Sequence, residues 1–158
     1  MNTSTSVLSG LHRRNKVIKS KRILIVDDEP YNIMGLKIII DACDKGKLVS
    51  MIVDQATNGM EAYKAVKMAT ESKTYEYGLI FMDCSMPILD GYEASDRIRQ
   101  YLRNHLAQQP MIVACTGHTE IEYIKKAWRY QMDEVVPKPA NIQVIRCILD
   151  EMVEYVNK

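Results

Sequence analysis

Three short apolar runs, each followed at once by a polar side chain, constrain the fold of this chain more than any other feature. Residues 22–26 (RILIV) lead into Asp27, residues 78–82 (GLIFM) into Asp83, and residues 111–115 (MIVAC) into Thr116. Continuous apolar runs of this length are typical of strands buried on both faces, as in parallel sheets. Because ligands bind outside the carboxyl ends of such strands, the sequence predicts a functional site at that edge.

Strands and helices alternate along the rest of the chain. Apolar patterning and turn residues predict strands near residues 22–26, 49–55, 77–82, 111–115 and 134–136. The same reasoning predicts helices near residues 31–43, 60–71, 92–105, 120–130 and 142–156. Strict alternation implies right-handed crossovers and a parallel sheet with helices on both faces. The predicted fold class is therefore α/β, a doubly wound, flavodoxin-like (βα)5 arrangement with five parallel strands.

Apolar side chains predict which helix faces are buried. On the first helix, the expected buried face comprises Ile33, Met34, Leu36, Ile38, Ile39 and Ile40. On the last helix, it comprises Val144, Ile145, Ile148, Leu149, Met152, Val153 and Val156. On the fourth helix, we expect core or half-buried positions at Ile121, Ile124 and Trp128. The other side of that helix could contribute to a partner surface through Tyr123, Ala127 and Tyr130.

The composition indicates one soluble domain with no bias towards a charged partner. The 158 residues suffice for about one domain with an adequate core. Lys and Arg number 21 against 20 Asp and Glu, so the net charge of +1 gives no reason to expect nucleic acid or an anionic membrane as a partner. No apolar stretch approaches the roughly 18 residues that cross a bilayer, and the amino terminus lacks the apolar segment of a signal peptide.

Residues 1–20 differ in composition from the rest. They are polar and Ser/Thr-rich and then basic, so we expect a flexible basic leader or linker, with the folded domain spanning residues 21–158. The cysteines are Cys43, Cys84, Cys115 and Cys147, and none forms a CxxC pair. We expect them to be reduced thiols in or near the core of an intracellular protein.

The carboxylates at the predicted edge indicate a hard cation. Asp27 and Asp28 are adjacent, and two neighbouring carboxylates repel each other unless a cation or a basic group lies between them. Mg²⁺ prefers oxygen ligands and is often held by one or two carboxylates together with phosphate. Asp83 can be a third ligand, or a nucleophile that attacks a phosphoryl donor to form an aspartyl-phosphate.

A hydroxyl and an ammonium group complete the predicted site. Thr116 follows the fourth strand and can donate a hydrogen bond to a phosphoryl oxygen. Lys138 follows the fifth strand and supplies the compensating positive charge. A cis bond between Lys138 and Pro139 would be one way to turn the lysine back into the crevice. Each of these residues alone is weak evidence for a functional site. However, four separate segments place complementary groups at the same edge of the predicted sheet.

These segments together resemble the receiver domain of two-component response regulators. The matching segments are residues 23–29 (ILIVDDE), 56–62 (ATNGMEA), 82–93 (MDCSMPILDGYE), 113–118 (VACTGH) and 138–139 (KP). The resemblance covers residues 21–157. The amino-acid sequence of the third segment is most similar to that of receivers in hybrid histidine kinases.

The resemblance implies the ligands of a metal ion. Asp28 and Asp83, with the backbone carbonyl of Ser85, would bind Mg²⁺ (or Mn²⁺). Asp27 would position the metal directly or through water. The cofactor expected for this chain is therefore a divalent cation.

The resemblance also implies a phosphorelay function. Asp83 would accept phosphate from a phosphohistidine, Thr116 would sense the phosphoryl group, and Lys138 would pair with it. The chain would then switch a partner-binding surface. It would be no enzyme beyond catalysing its own aspartyl phosphorylation and dephosphorylation.

Partners and location follow from the same resemblance. The expected partner is a histidine kinase or a histidine-containing phosphotransfer protein. It would dock over the Asp83 edge and contact the first helix of this chain. Other domains of a larger hybrid kinase are further candidate partners. No nucleic acid and no membrane contact by the domain itself are expected. The expected location is the cytoplasm, either as a free protein or as the cytosolic part of a membrane-bound kinase.

The chain departs from the family pattern at three positions. Val135 stands where the family usually has an aromatic residue that moves on activation, so this position offers no aromatic ring for the usual switch. Gln131 stands where the family usually has glycine, and a left-handed backbone there would cost roughly 1 kcal/mol more than for glycine. Pro137 precedes the lysine and would stiffen the end of the strand.

Two other functions remain open from the sequence. A phosphatase or phosphotransferase of the haloacid-dehalogenase type also uses a strand-end aspartate and Mg²⁺, with a second acid two residues later; Glu29 after Asp27 fits this in part, and Ser85 after Asp83 does not. A degenerate receiver that acts only as a binding module is the other alternative, and the complete set of acidic, hydroxyl and lysine residues argues against it.

Overall fold

The computed structural model describes residues 20–43 and 51–156, and the side chains of all but the last two of these. The sheet has five strands, all parallel, in the order β2-β1-β3-β4-β5. They are β1 (Ser20–Val26), β2 (Val53–Ala56), β3 (Tyr75–Asp83), β4 (Met111–Thr116) and β5 (Glu134–Pro137). This is the doubly wound order expected of a flavodoxin-like sheet, so the predicted fold class is confirmed.

Five helices connect and cover the strands. They are α1 (Pro30–Cys43), α2 (Gly59–Ser72), α3 (Gly91–Asn104), α4 (Ile121–Arg129) and α5 (Ile142–Val156). Three of them begin at side-chain caps: Asn58 accepts a hydrogen bond from the Glu61 N–H, Asp90 accepts one from the Glu93 N–H, and Asn141 accepts one from the Gln143 N–H. Such caps satisfy amides that a helix start leaves without partners, which explains why helices begin at these turns.

The core consists of two layers, one on each face of the sheet. Alternating strand residues point to opposite faces, so Leu24 and Val26 pack with α2 and α3, whereas Ile23 and Ile25 pack with α1 and α5. The apolar runs that predicted buried strands therefore contribute side chains to both layers of the core. None of the helices in the described ranges is both long and apolar enough to cross a membrane.

The boundaries differ from those predicted at several ends. Ser20 begins β1, so it belongs to the sheet and not to the predicted leader; residues 1–19 lie outside the described residues. β2 begins at Val53 and not near residue 49, and residues 49 and 50 lie outside the described ranges. β3 begins two residues earlier than predicted, at Tyr75, because it pairs along the full length of β1.

The structure corrects the predicted buried face of the first helix. α1 buries Ile33, Leu36 and Ile40, and Ile39 is half-buried. Met34 and Ile38 were expected in the core, but they are exposed. The six apolar residues extend around more of the helix than the sheet can cover, so part of this surface remains open to solvent.

The prediction for the fourth helix was wrong in part, although Tyr123 is exposed and Ile124 is half-buried, as expected. Ile121 and Trp128, expected in the core, are 51% and 58% exposed, and Ile124 is half-buried. On the side expected to face a partner, Ala127 is buried and Tyr130 is half-buried. The small Ala127 side chain is the one that α4 buries, because it allows the short helix to lie close to the sheet.

The last helix and the cysteines follow the predictions in part. Ile145, Ile148, Leu149 and Met152 are buried as expected, whereas Val144 is exposed; the side chain of Val156 lies outside those described. All four cysteines are free: Cys84 and Cys115 are buried, and Cys43 is half-buried. Cys147 is exposed, so the prediction that all four lie in or near the core was wrong for this residue.

The left-handed backbone suspected at Gln131 is present. Its φ is 62°, a conformation that glycine adopts without steric cost. The Gln131 side chain compensates by bridging to α3: its Nε2 donates to Asp96 and its Oε1 accepts from Arg103, at 3.1 and 2.7 Å. Gln131 therefore ties the turn before β5 to α3, which glycine could not do.

A buried arginine anchors the same turn. Arg99 donates from Nε to the Gln131 carbonyl at 3.0 Å and from Nη1 to the Pro110 carbonyl at 2.7 Å. Its Nη2 donates to the Asp133 carboxylate at 2.7 Å, and Nη1 also contacts the Gln109 amide oxygen at 3.2 Å. One guanidinium group thus joins α3 to the segments that precede β4 and β5.

Replacing Arg99 by methionine should therefore destabilise the fold. The R99M variant keeps most of the aliphatic volume but leaves buried carbonyls without donors, so we expect the free energy of unfolding to fall by about 2–4 kcal/mol. Urea denaturation measures this. The exposed Arg97 on the same helix makes a long contact to Glu93 (4.0 Å), and R97M should change stability by less than about 0.5 kcal/mol. Equal losses in the two variants would contradict the anchoring role.

Candidate functional site

The carboxyl ends of β1 and β3 bring three carboxylates together. Val26 pairs with Met82 in the sheet, so the next residues, Asp27 and Asp83, lie at the same edge. One oxygen from each of Asp27, Asp28 and Asp83 lies within 4.8 Å of the others. Asp27 and Asp83 are buried, whereas Asp28 is exposed. This set of hard oxygen donors suits a divalent cation, and the open side at Asp28 leaves room for water and a phosphate.

Lys138 reaches the same point from the end of β5. Its Nζ lies 2.6 Å from Asp27 Oδ2 and 3.1 Å from Asp83 Oδ1. The Lys138–Pro139 bond is cis, as the sequence analysis suggested. The ammonium group therefore links two strand ends whose buried carboxylates would otherwise repel each other.

Asp27 is held through both of its oxygens. While Oδ2 binds Lys138, Oδ1 accepts from the Glu29 backbone N–H at 2.9 Å and from the Asn32 Nδ2 at 3.1 Å. Sequence reasoning missed Asn32. Its position one turn into the helix that follows the acidic pair was the available signal, since a side chain there faces back towards the strand end.

Asp83 has one oxygen that is less constrained. Oδ1 accepts from the Ser85 N–H at 3.3 Å and contacts Lys138, whereas Oδ2 has no hydrogen-bond partner among the described residues. Asp83 therefore offers an oxygen free for a metal or a phosphoryl group. Ser85 is placed beside Asp83 through its N–H, and its carbonyl stays a predicted metal ligand.

Burial and the positive charge of Lys138 have opposite effects on the pKa of Asp83. Burial raises the pKa of Asp83, and the Asp27 carboxylate adds to this, although the hydrogen bond and positive charge of Lys138 oppose it. Burial disfavours the charged form of Lys138, but its contacts to Asp27 and Asp83 outweigh this effect and raise its pKa. Lys138 therefore remains an ammonium ion, and its charge is shared between the two carboxylates.

Thr116 lies at the same edge but makes a different contact. It is buried at the end of β4, opposite Pro137, and its Oγ1 accepts a hydrogen bond from the His118 N–H at 3.0 Å. The His118 ring stacks on Tyr123 of α4 at a centroid distance of 4.3 Å. The hydroxyl of Thr116, the predicted switch residue, is thus linked to α4 through His118, whose ring stacks on Tyr123.

Val135, which departs from the family pattern, and the two cysteines that flank the site all pack in or against the core. Val135 is half-buried against the layer formed with α2 and α3. Cys84 and Cys115 flank the site, and burial raises their pKa values to about 11 and about 12. Both cysteines are therefore protonated thiols near neutral pH, and poor metal ligands or nucleophiles.

A glycine fixes the segment that carries Asp83. A Cβ built on Gly91 would lie 2.0 Å from the Asp83 carbonyl oxygen, so the start of α3 can lie against the end of β3 with no side chain between them. The Gly91 N–H also donates to the Cys84 carbonyl at 3.2 Å. The loop between β3 and α3 is therefore held tightly against the end of β3 that carries Asp83.

Comparison with known proteins decides the family. The model of the response regulator receiver domain matches residues 23–150, which include every residue of the site. The chain belongs to the response regulator receiver domain family. The resemblance inferred from the sequence is therefore confirmed.

Relatives of this receiver include hybrid kinases and their solved receiver domains. It is 32% identical over 129 residues to hybrid signal transduction histidine kinase B of Dictyostelium discoideum, covering 77% of this chain and 6% of that protein. The receiver domain of the Arabidopsis thaliana histidine kinase CKI1, crystallised with Mg²⁺, is 27% identical, with a TM-score of 0.67 over 85% of this chain and 94% of that one. The chain spans 6% to 16% of the length of the curated relatives compared.

One solved structure contains a phosphotransfer protein together with a receiver. It is the co-crystal of the Saccharomyces cerevisiae histidine phosphotransfer protein Ypd1 with the receiver domain of its downstream response regulator Ssk1. The matched chain is 26% identical, with a TM-score of 0.69 over 87% of this receiver and 91% of that chain. Two receivers of known structure therefore share both fold and recognisable sequence with this one.

Filling the space at Gly91 should disrupt this receiver. In G91A the added methyl group meets the Asp83 backbone, so we expect a loss of about 3 kcal/mol or more in the free energy of unfolding, at the upper end for overpacking. Thermal and urea denaturation measure it. A Cβ at Gly117, near the same edge, meets nothing within 4 Å, and G117A should be close to wild type in stability. Wild-type stability of G91A would show that the β3–α3 segment is more adaptable than its packing implies.

Proposed function

We propose that this receiver accepts a phosphoryl group on Asp83 from a phosphohistidine of a partner, with a divalent cation, and so acts in a phosphorelay. The single observation that carries this proposal is the difference between the two buried aspartates. Asp27 is hydrogen-bonded through both oxygens, whereas Asp83 has Oδ2 free. The free oxygen is the one that can attack phosphorus.

Mg²⁺ is the cofactor that the donor set fits best, and Mn²⁺ shares its preference for oxygen ligands. Asp28 and Asp83, with Asp27 directly or through water and the Ser85 carbonyl, are the proposed ligands. When bound, the cation neutralises negative charge on the oxygens of the transferring group. The carboxylates alone carry more negative charge than Lys138 compensates, which favours a divalent ion at this point.

The transfer exchanges one bond to phosphorus for another. Asp83 Oδ2 forms a P–O bond as the P–N bond to the imidazole breaks, and the imidazole nitrogen keeps the electron pair of that bond. Lys138 pairs with an oxygen of the new acyl-phosphate, and Thr116 donates to another. Hydrolysis of the acyl-phosphate by water returns the carboxylate and inorganic phosphate. Catalysis is then confined to the chain's own phosphorylation and dephosphorylation.

The contacts of Glu29 argue against the phosphatase alternative. That chemistry would use Asp27 as the nucleophile and Glu29 as the second acid. However, Asp27 has no free oxygen, and Glu29 contributes its backbone N–H to Asp27 while its side chain is exposed. A binding module that is never phosphorylated would give no reason for Asp83 to keep Oδ2 without a hydrogen-bond partner among the described residues.

The proposed phosphoryl donor is a histidine kinase or a histidine-containing phosphotransfer protein, or another domain of a larger hybrid kinase. The Ypd1–Ssk1 complex supports this choice, because it pairs a phosphotransfer protein with a receiver of the same fold. The apolar side chains exposed on α1, next to the site, suit a partner that covers this edge. A cytoplasmic location, free or as the cytosolic part of a membrane-bound kinase, agrees with this role.

The proposed output surface is on α4. Ile121 and Trp128 are exposed there, and Thr116 connects to the same helix through His118 and Tyr123. Phosphorylation adds about −1.5 to −2 charges at Asp83, which can draw the Thr116 hydroxyl towards a phosphoryl oxygen. A movement of the β4–α4 segment would then alter the surface that α4 presents to a partner.

Divalent cations should stabilise this receiver through Asp28. Mg²⁺ at about 100 times its dissociation constant should add about 2.7 kcal/mol to the free energy of unfolding if it binds the folded state alone. Thermal denaturation with and without Mg²⁺ measures the effect. D28A should lose it, because Asp28 is exposed and serves the ion and not the core. D41A, which removes an exposed aspartate from α1, is the matched control and should keep it; equal stabilisation of both variants would refute the assigned ligand.

A small phosphoryl donor tests the acceptor directly. With phosphoramidate and Mg²⁺, wild type and D41N should take up about one phosphoryl group per chain, and hydroxylamine should remove it as it does other acyl-phosphates. D83N should take up none. Intact-mass measurement follows the labelling. Continuous turnover of a small phosphate ester, or labelling that survives in D83N, would favour the phosphatase alternative instead.

A further inference from the structure

The backbone closes the carboxyl end of α4 firmly. Gln131 is left-handed, and its N–H donates to the Trp128 carbonyl at 2.9 Å. The next residue, Met132, is buried and donates from its N–H to the Ala127 carbonyl at 3.0 Å. This pair of bonds is the Schellman closure, in which a left-handed residue satisfies the last carbonyls of a helix. The turn that follows α4 is therefore fixed relative to the helix itself.

The Gln131 side chain then joins this turn to α3. Its Nε2 donates to Asp96 Oδ1 at 3.1 Å, and its Oε1 accepts from Arg103 Nη1 at 2.7 Å. The amide offers a donor to the aspartate and an acceptor to the arginine at the same time. A glutamate at this position would repel Asp96, and a lysine would repel Arg103. The neutral amide therefore matches both of its partners on α3, and we call this pair of contacts the Gln131 bridge.

Aromatic packing holds the same end of α4. The ring of Tyr130 lies 5.7 Å from the ring of Tyr92 at the start of α3. Lys126 Nζ lies 4.2 Å from the centre of the same Tyr92 ring. Tilted ring pairs and a cation over a ring face are both favourable contacts. The carboxyl half of α4 is thus attached to α3 by polar and by aromatic contacts.

The amino end of α4 is held less firmly. Residues 117–123 are all exposed, and Glu120, which precedes the helix, forms no side-chain cap with the described residues. A Cβ built on Gly117 meets nothing within 4 Å. The ring stack of His118 on Tyr123 connects this end to Thr116. The end that lies nearer to the proposed switch hydroxyl is therefore the less constrained one.

We propose that Gln131 is a positioning residue that makes α4 a hinged helix: the Gln131 bridge fixes the carboxyl end to α3, so that phosphorylation displaces the amino end. This inference rests on the proposed function, because the phosphoryl group at Asp83 supplies the movement. The bridge also offsets the steric cost of a left-handed backbone at a residue that carries a Cβ.

A hinge at residue 131 predicts how far each part of α4 moves. At 1.5 Å of rise per residue, Ile121 lies about 15 Å and Trp128 about 4.5 Å along the helix from residue 131. A rigid rotation about that point therefore displaces Ile121 about three times as far as Trp128. A helix that shifted as a whole would displace both residues equally.

The test places one fluorine reporter at each end of α4. Trp128 is the one tryptophan in the sequence, so protein labelled with fluorotryptophan gives a single fluorine resonance from the carboxyl end. I121W/W128F moves that reporter to the amino end, where Ile121 is exposed. Phosphoramidate with Mg²⁺ phosphorylates each protein, and intact mass gives the extent. The change in chemical shift should be at least about twofold larger in I121W/W128F than in wild type, following the lever arm of the helix. D83N should show no change.

Loss of the Gln131 bridge should release the carboxyl end. Q131G keeps the left-handed turn, because glycine adopts it without strain, but it has no amide to bond α3. The change at Trp128 on phosphorylation should then grow at least about twofold, as the helix no longer pivots near that residue. R103M removes a partner of the same bridge from the α3 side and should give a similar increase.

Two controls separate release of the hinge from general damage. Q100A removes a glutamine that donates to the other oxygen of Asp96 at 2.7 Å but lies within α3, so the change at Trp128 should stay as in wild type. Thermal denaturation should place Q131G within about 4 °C of wild type, because relief of backbone strain offsets the lost hydrogen bonds.

The outcomes are distinguishable. Equal changes at the two ends of α4 in the native background, or a response of Trp128 that stays at the wild-type level in Q131G or R103M, would overturn the hinge and leave the proposed function intact. Failure of phosphoramidate to label wild type would overturn the proposed function, and the hinge with it. A larger response at the amino end, with a Trp128 response that grows in Q131G and not in Q100A, is the result expected if Gln131 is the fixed point.

Discussion

The contact of one ammonium group with two buried carboxylates is the interaction on which the rest of this site depends. Lys138 reaches from the end of β5 to Asp27 on β1 and Asp83 on β3, at 2.6 and 3.1 Å. Without it, two negative charges would be buried side by side at the edge of the sheet, which costs several kcal/mol when unpaired. The same ammonium group contacts Oδ1 of Asp83 and leaves Oδ2 free, so the arrangement that stabilises the fold also preserves the oxygen that we propose as the phosphoryl acceptor.

The fold and the main site residues could be predicted because each rests on a local and repeated signal. Buried strands in a parallel sheet need apolar residues on both faces, so residues 22–26 and 78–82 could be assigned as strands from their composition. Parallel strands must end at the same edge, so the positions of Asp27 and Asp83 followed from the strands alone. The cis bond before Pro139 was accessible from the local preference of proline, and the left-handed backbone of Gln131 was accessible from the resemblance, because the family usually has glycine there.

The residues that could not be predicted are those whose environment depends on tertiary packing. Met34 and Ile38 are as apolar as Ile33 and Leu36, and the sequence cannot say which side of a strongly apolar helix meets the sheet. On α4 the error was larger, because the small Ala127 and not the large Trp128 packs inwards. Asn32 was missed for a related reason: its role is one hydrogen bond to Asp27, and the signal for that contact was its position after the acidic pair and not its residue type.

The apolar surfaces that α1 and α4 leave exposed lie on opposite faces of the sheet. α1 packs in the layer that contains Ile23 and Ile25, and Ala127 of α4 packs in the layer that contains Leu24 and Val26. A partner bound on α1 would therefore not occupy the surface that α4 presents. Both surfaces nevertheless connect to the same edge, α1 through Asn32 and Asp27, and α4 through Tyr123, His118 and Thr116. The proposed phosphoryl site at Asp83 is thus connected to both faces of the sheet.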